Sequence, residues 1–310
     1  MPEDRRPGAP RAGVTPLAVD AAGLTVGAVV RRTAEALVRA GAPNAAMAAR
    51  EIVAALLDVG RHWTLLHGHE PADLLLLARA TQAAQRLAVG MPFQYAVGRA
   101  SFRRLTLEVD PRVLIPRPET ELLVEFVLEL TRDASGGVAI DVGTGSGAIA
   151  LALAQEGTFA RVIGTDVSAD ALAVARYNAS ALAAAIPTPV EFLQGSLLRP
   201  VPDLRARAIV SNPPYIAFEE TAALPPSVRD WEPVTALLSG ENGLAATREL
   251  VRGAASRLEA GGVLALEVDG RRASLVTEMV SAEAAFADVS VRFDLAGRER
   301  FVLARRREQA

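Results

Sequence analysis

The sequence predicts an α/β protein: a doubly wound, mostly parallel sheet with a small all-helical domain ahead of it. Three observations carry this. Short apolar runs alternate with helical stretches from Val138 onward. A glycine-rich turn directly follows the first run, and the segment from Leu24 to Val89 has a helical hydrophobic period. The 310 residues suit two domains, and with 50% of them hydrophobic and 22% charged the chain can bury a sizeable core.

Residues 1–22 are rich in Pro, Gly and Arg, have too little apolar content to pack, and read as a disordered tail. Within 23–90, Leu24, Val29, Ala36 and Leu37 share one face of a first helix. Asn44 is placed to cap a second, which carries Ile52, Val53, Leu56 and Leu57 up to a break at Gly60. A third runs from Pro71-Ala72-Asp73 to Val89, before Gly90. Residues 91–116 change period. Ser101 to Val109 alternate as a strand does, Asp110-Pro111 is a turn signal, and the segment reads as a β-hairpin linker.

Pro116-Arg117-Pro118-Glu119-Thr120 then opens a helix through Leu122, Val124, Phe126 and Leu130, at the start of a domain spanning 117–310. There, strands fit Val138–Val142, Arg161–Asp166, Val190–Gln194, Ala208–Ser211, Val263–Val268, Val289–Leu295 and Phe301–Ala304. Helices fit Ala148–Glu156 and a stretch from Ala169. Strands separated by helices imply parallel pairing. The last two, joined by a short turn around Gly297, make an antiparallel hairpin at the sheet edge.

Composition excludes several classes. There is no cysteine, hence no disulfide framework and no thiolate zinc site. All basic residues are arginine, which with the heavy alanine usage reflects overall composition. A net charge of −3 and a pI near 5.8 argue against a nucleic-acid partner. No apolar run has the length of a membrane span and the N-terminus lacks the apolar segment of a signal peptide, so a cytoplasmic protein with no membrane partner is expected.

Two motifs carry chemistry. Gly143-Thr144-Gly145-Ser146-Gly147 follows a strand and opens a helix, the context in which glycines let backbone approach a nucleotide. Asp166 ends the next strand, where an acid can accept both hydroxyls of a ribose. This pair alone suits NAD as well as S-adenosyl-L-methionine.

The second motif is Asn212-Pro213-Pro214-Tyr215, at the carboxyl end of the strand through Ala208–Ser211. A planar amide or aromatic amine nitrogen is a weak nucleophile because its lone pair is delocalised. The Asn212 side-chain oxygen and the Pro213 carbonyl can accept both of its hydrogens and hold it for attack on a sulfonium methyl group. The prolines stiffen the backbone, and Tyr215 offers a flat face. This favours the methyl donor over NAD.

At these residues the sequence resembles the protein-(glutamine-N5) methyltransferase family, the PrmC/HemK enzymes specific for release factors. The resemblance runs from Leu24 to Arg305. It extends to Gly90–Tyr95, Gly98–Phe102, Leu114–Glu121, Val228–Pro233 with Ala236-Leu237, and Asp294–Arg300. It implies a Rossmann-like class I methyltransferase sheet as the domain over 117–310, and residues 23–90 as a substrate-binding domain. It also implies S-adenosyl-L-methionine as cofactor, held by Gly143, Thr144, Gly145, Ser146, Gly147 and Asp166, with Ser196 and Leu197 beside the adenine and Asn212 in contact. The substrate would be the glutamine of the Gly-Gly-Gln loop in class I peptide-chain release factors. Asn212, Pro213, Pro214 and Tyr215 would hold its amide, and Phe102 would pack near it. Three segments depart from the family pattern: Ser196 stands where an acid is common, Ser101 where a glutamate often precedes the phenylalanine, and Glu267–Gly270 is unusual.

Other signals carry less. His62, His67 and His69 fall close together without further metal-ligand spacing, so they read as turn residues and no metal is expected. Trp231 reads equally as a groove wall or a loop anchor. Two alternatives stay open on the residues: glutamine methylation of a ribosomal protein, and adenine-N6 methylation of nucleic acid, which would require a basic recognition surface.

Overall fold

The computed structural model describes residues 23–308; the expected tail, 1–22, lies outside the described residues. The chain divides into two compact units between Gln85 and Arg86.

The first unit is helical: α1 (Val26–Arg39), α2 (Ala45–Leu57), α3 (Trp63–Leu66) and most of α4 (Leu74–Ala88). Thr25 caps α1, its hydroxyl accepting from Ala28 N–H at 3.2 Å, and Asp73 Oδ1 accepts from Leu76 N–H at 2.7 Å to start α4. Of the residues that the periodicity marks, Leu24, Val29, Leu37, Ile52 and Val53 are buried, while Ala36, Leu56 and Leu57 are half-buried. Two details differ from the sequence reading. Asn44 does precede α2, but in a left-handed conformation (φ 53°) with no capping hydrogen bond from its side chain. The helix ends on Asp58, also left-handed (φ 56°), ahead of Gly60; Asn and Asp tolerate that region better than most residues. The short α3, flanked by His62 and His67, has no counterpart in the sequence reading. Among the described residues no group of three or more His, Cys, Asp or Glu is placed to hold a metal ion.

The second unit opens with α5 (Phe93–Val97) and a hairpin, β1 (Arg99–Phe102) and β2 (Leu105–Glu108). This corrects the expectation of one strand over 101–109 that turns at Asp110-Pro111. The chain reverses at Arg103-Arg104, with Arg103 left-handed (φ 51°). Ion pairs rather than turn chemistry hold that geometry. Arg103 bonds Glu156 through Nε (2.7 Å) and Nη2 (2.8 Å), Glu125 through Nη2 (2.7 Å), and the Glu121 carbonyl through Nη1 (3.0 Å).

After α6 (Pro118–Thr131) come β3 (Val138–Val142), α7 (Ala148–Glu156), β4 (Arg161–Asp166), α8 (Ala169–Ala181), β5 (Val190–Gln194) and β6 (Ala206–Ser211). Short turns α9 (Pro226–Arg229), α10 (Val234–Leu237) and α11 (Gly240–Gly243) lead to α12 (Ala245–Arg257), β7 (Leu258–Glu267), α13 (Ala273–Ala282), β8 (Phe286–Phe293) and β9 (Glu299–Arg306). The sheet order is β5-β4-β3-β6-β7-β9-β8, parallel up to β7, with β9 and β8 antiparallel at the edge as expected. Strands β7 and β8 begin several residues earlier than expected, and Leu295 lies outside β8, 91% exposed.

Alternate strand residues face opposite layers. Ala139, Ala208, Val210, Val263 and Ala265 pack with the hairpin and helices α6–α8. Ile140, Val142, Ile209, Leu264 and Leu266 pack with α12 and α13. Chain order reverses between β3 and β6, which opens a crevice at their carboxyl ends, the place where doubly wound sheets bind ligands.

Candidate functional site

The glycine turn grows out of β3. Gly143 and Thr144 N–H donate to the Thr165 carbonyl at 2.8 and 2.9 Å, which folds the turn against β4. Beneath it lies Asp141, fully buried. Its Oδ2 accepts from Thr144 Oγ1 at 2.6 Å and from Ala150 N–H at 3.1 Å, while Oδ1 has no partner among the described residues. Burial pushes this carboxyl up to about 7. Gly145 (φ 54°) faces open space where a side chain would otherwise stand.

Asp166, at the end of β4, accepts from Gly145 N–H through Oδ2 and from Ser168 N–H through Oδ1, both at 2.9 Å. The carboxylate therefore orders the turn, and each oxygen keeps a lone pair for a ligand hydroxyl. A cavity of about 300 Å³ opens here, lined by Gly143, Gly145, Asp166, Ser196, Leu197, Asn212 and Pro214 among the residues singled out from the sequence. Leu197 is left-handed (φ 51°), and its carbonyl accepts from Thr165 Oγ1 at 2.8 Å. Val113, Leu114, Val167, Ser168 and Gly195 complete much of the wall. An acid, open glycine backbone and apolar surface around one cavity fit a nucleoside such as the adenosyl moiety of S-adenosyl-L-methionine.

Thr144 and Ser146 line a smaller neighbouring cavity of about 50 Å³ instead, with Phe102, Arg117, Thr120 and Asn212. Gly147 lines none of these cavities; a Cβ there would press on Leu151 and Phe192 at 3.3 Å, so its place is in packing. Phe102, fully buried, is brought by the hairpin to the same side of the crevice as Asn212.

Asn212 continues β6, whose last residue, Ser211, anchors to the Val142 carbonyl at 2.7 Å. Its Nδ2 donates to Thr120 Oγ1 at 3.2 Å, and Thr120 Oγ1 donates to Glu267 Oε2 at 2.6 Å. Oδ1 has no hydrogen-bond partner among the described residues. Pro213 is buried and lines none of the three cavities. Tyr215 lines a cavity of about 90 Å³ with Leu114, Arg117 and Asn212, and its phenol is pushed up to about 12 by burial and then by the nearby Glu267 charge. Gly243 packs against the Tyr215 carbonyl so closely that no Cβ would fit.

Several site residues escaped sequence reasoning. Arg117 Nη2 grips both oxygens of the buried Glu232, at 2.7 and 2.8 Å, pinning the segment after the tetrapeptide. Thr120 and Glu267 stand behind Asn212. Trp231 packs against the core as a loop anchor.

The chain matches the model of the PrmC N-terminal domain over residues 28–98 and that of the methyltransferase small domain over 118–224. It is 45% identical over 231 residues to a release factor glutamine methyltransferase of Moorella thermoacetica, across 74% of this chain and 81% of that one. It is 41% identical over 271 residues to another of Deinococcus radiodurans, across 87% and 94%. A solved methyltransferase from Pyrococcus furiosus shares the fold with a TM-score of 0.50 at 19% identity, over 65% of this chain and 89% of that one. The chain therefore belongs to the release factor glutamine methyltransferase family, and is an S-adenosyl-L-methionine-dependent enzyme of the class I methyltransferase fold.

Proposed function

We propose that this enzyme methylates N5 of the glutamine in the Gly-Gly-Gln loop of class I release factors. The observation that carries the reading is the Asn212 side chain, which lines the cofactor cavity with its Nδ2 bonded to Thr120 and its Oδ1 unpartnered among the described residues. Bound S-adenosyl-L-methionine supplies an electrophilic methyl group. Asn212 Oδ1 would accept one N–H of the incoming amide and orient its nitrogen, and Pro213, buried and outside the cavities, would reach the second N–H only through its backbone carbonyl. As the N–C bond formed at the expense of the methyl–sulfur bond, whose electron pair would stay on sulfur, charge would develop on that nitrogen, both contacts would strengthen, and one proton would then leave to water. Phe102 and Tyr215, each lining a small cavity that Asn212 also lines, would flank a flat group, while Asp166, Ser196 and Leu197 would hold the nucleoside end.

On this reading residues 23–90 grip the protein substrate, 91–116 link, and 117–310 carry the chemistry in the cytoplasm, where release factors act. An aromatic amine would fit the same acceptors, but the net charge of −3 disfavours a nucleic acid. Mass spectrometry of a release factor, a ribosomal protein and an adenine-containing oligonucleotide, each incubated with enzyme and labelled cofactor, tests it. One methyl group on the Gly-Gly-Gln glutamine is expected; label only on the ribosomal protein or the oligonucleotide would overturn the assignment.

A further inference from the structure

Behind Asn212 stands a two-step hydrogen-bond chain that leaves the buried end of the site at Glu267. Glu267 is the last residue of β7 and only 2% exposed; Thr120 lies in the first turn of α6 and is also buried. The three side chains come from three separate elements and meet in one line, Asn212 Nδ2 to Thr120 Oγ1 to Glu267 Oε2.

We infer that Glu267 is a positioning residue: it sets the direction of this chain and so obliges Asn212 to present its oxygen, not its NH2, to the substrate. The inference rests on the reading that Asn212 Oδ1 accepts from the substrate amide. A carboxylate has no hydrogen to give, so the single hydroxyl hydrogen of Thr120 must point at Glu267. Thr120 can then only accept from Asn212, which makes Nδ2 face inward and Oδ1 outward. Without the carboxylate the Thr120 hydrogen is free to turn around and donate to Asn212 Oδ1. The amide would flip, and an NH2 group would meet the NH2 group of the glutamine, a contact between two donors.

The direction of this hydrogen-bond chain depends on pH. Facing Glu267 are Thr120 and Glu119 from α6, Arg117 just before it, Arg300 from β9, and Tyr215. Burial raises the carboxyl to about 7; the two arginines favour its charged form and Glu119 opposes it. A protonated Glu267 can donate to Thr120 and reverse the chain, so turnover should rise with pH as this group ionises.

The test uses the full-length enzyme with an intact release factor and compares Glu267→Leu, Glu267→Gln, Thr120→Val, Thr120→Ser and Asn212→Ala. Glu267→Leu and Thr120→Val should lower kcat by about 10–100-fold, the scale for groups that orient a reacting partner from behind, with cofactor affinity by calorimetry unchanged. Thr120→Ser should restore turnover. Glu267→Gln can feed either direction, so it should fall between, and its kcat should no longer rise with pH through about 7 as that of the wild type does. Wild-type kcat in folded Glu267→Leu and Thr120→Val, beside a depressed Asn212→Ala, would overturn the positioning role alone. So would a wild-type pH profile in Glu267→Gln. Normal turnover in Asn212→Ala would remove the substrate reading and this inference together.

Discussion

The side chain of Asn178 takes both backbone groups of Glu108: its Oδ1 accepts from the Glu108 N–H at 2.8 Å and its Nδ2 donates to the Glu108 carbonyl at 3.0 Å. The second Nδ2 hydrogen goes to the Ser146 carbonyl at 2.9 Å. One buried residue of α8 thus ties the hairpin that carries Phe102 to the glycine turn, with every hydrogen-bonding group of its amide in use. Asn178→Ala should destabilise the protein by about 1–3 kcal/mol, because polar groups are left buried without partners. Asn178→Asp should cost more, since a carboxylate would face two carbonyls. Urea unfolding measures both, and an Asp variant as stable as the Ala variant would contradict the donor role.

Asp166 has two duties on this geometry, ordering the turn through Gly145 and Ser168 and facing the cofactor cavity. Asp166→Ala should weaken S-adenosyl-L-methionine binding by about 1.5–3 kcal/mol, the scale of hydrogen bonds to a charged group. Asp166→Asn keeps one acceptor oxygen but turns an NH2 group toward the N–H of Gly145 or Ser168, a contact between two donors, so it should lose about as much. Isothermal calorimetry decides; unchanged affinity in the Ala variant would take Asp166 out of the cofactor site.

Much of this arrangement is legible in the sequence because its signals are local. The glycine turn and the Asn212–Tyr215 tetrapeptide each announce themselves within a few residues, and a parallel strand's apolar run fixes where they sit on the sheet. What sequence reasoning misses is long-range. Thr120 and Glu267 are 147 residues apart and meet only because α6 packs across β7. The true position of the hairpin turn is hidden for a related reason. Two arginines carry none of the Gly or Asn signature of a tight reversal, and the partners that hold Arg103, Glu125 and Glu156, lie on α6 and α7.

Stability should depend on pH in a way traceable to Asp141. Its ordinary value is 3.8 and burial raises it to about 7, so between those values the folded protein binds a proton that the unfolded chain has released. Stability therefore falls as pH rises through that window. Glu267, raised from 4.5 to about 7, acts in the same sense. Glu156, held low first of all by its bond to Arg103, acts oppositely: its contribution is present above 4.5 and lost as pH falls below it. Asp141→Asn removes one titrating group while keeping shape and an acceptor. Its thermal midpoint should decline less than that of the wild type between about pH 5 and pH 8. Parallel curves for the two proteins would show that Asp141 is ionised alike in folded and unfolded states.

The amide-holding site is most exposed to test at Asn212. Asn212→Ala should lower kcat by about 10²–10³-fold, the range for one preorganised polar contact, with cofactor affinity little changed. Asn212→Asp keeps an acceptor of nearly the same shape, and on that count alone would retain activity. The structure argues otherwise. A carboxylate at this position has no hydrogen to give Thr120, whose single hydroxyl hydrogen already goes to Glu267. Two carboxylates would compete for it, and the unsatisfied one would repel its neighbour across a buried gap. Asn212→Asp should therefore be nearly as slow as Asn212→Ala. Adding Glu267→Gln resolves the conflict. The introduced amide can donate to Thr120, and Thr120 can then donate to one oxygen of the introduced carboxylate, leaving its other oxygen to face the substrate as an acceptor. The double variant should turn over faster than Asn212→Asp alone, although each single change slows the enzyme. A double variant no faster than the Asp single would mean that the three side chains do not act as one chain.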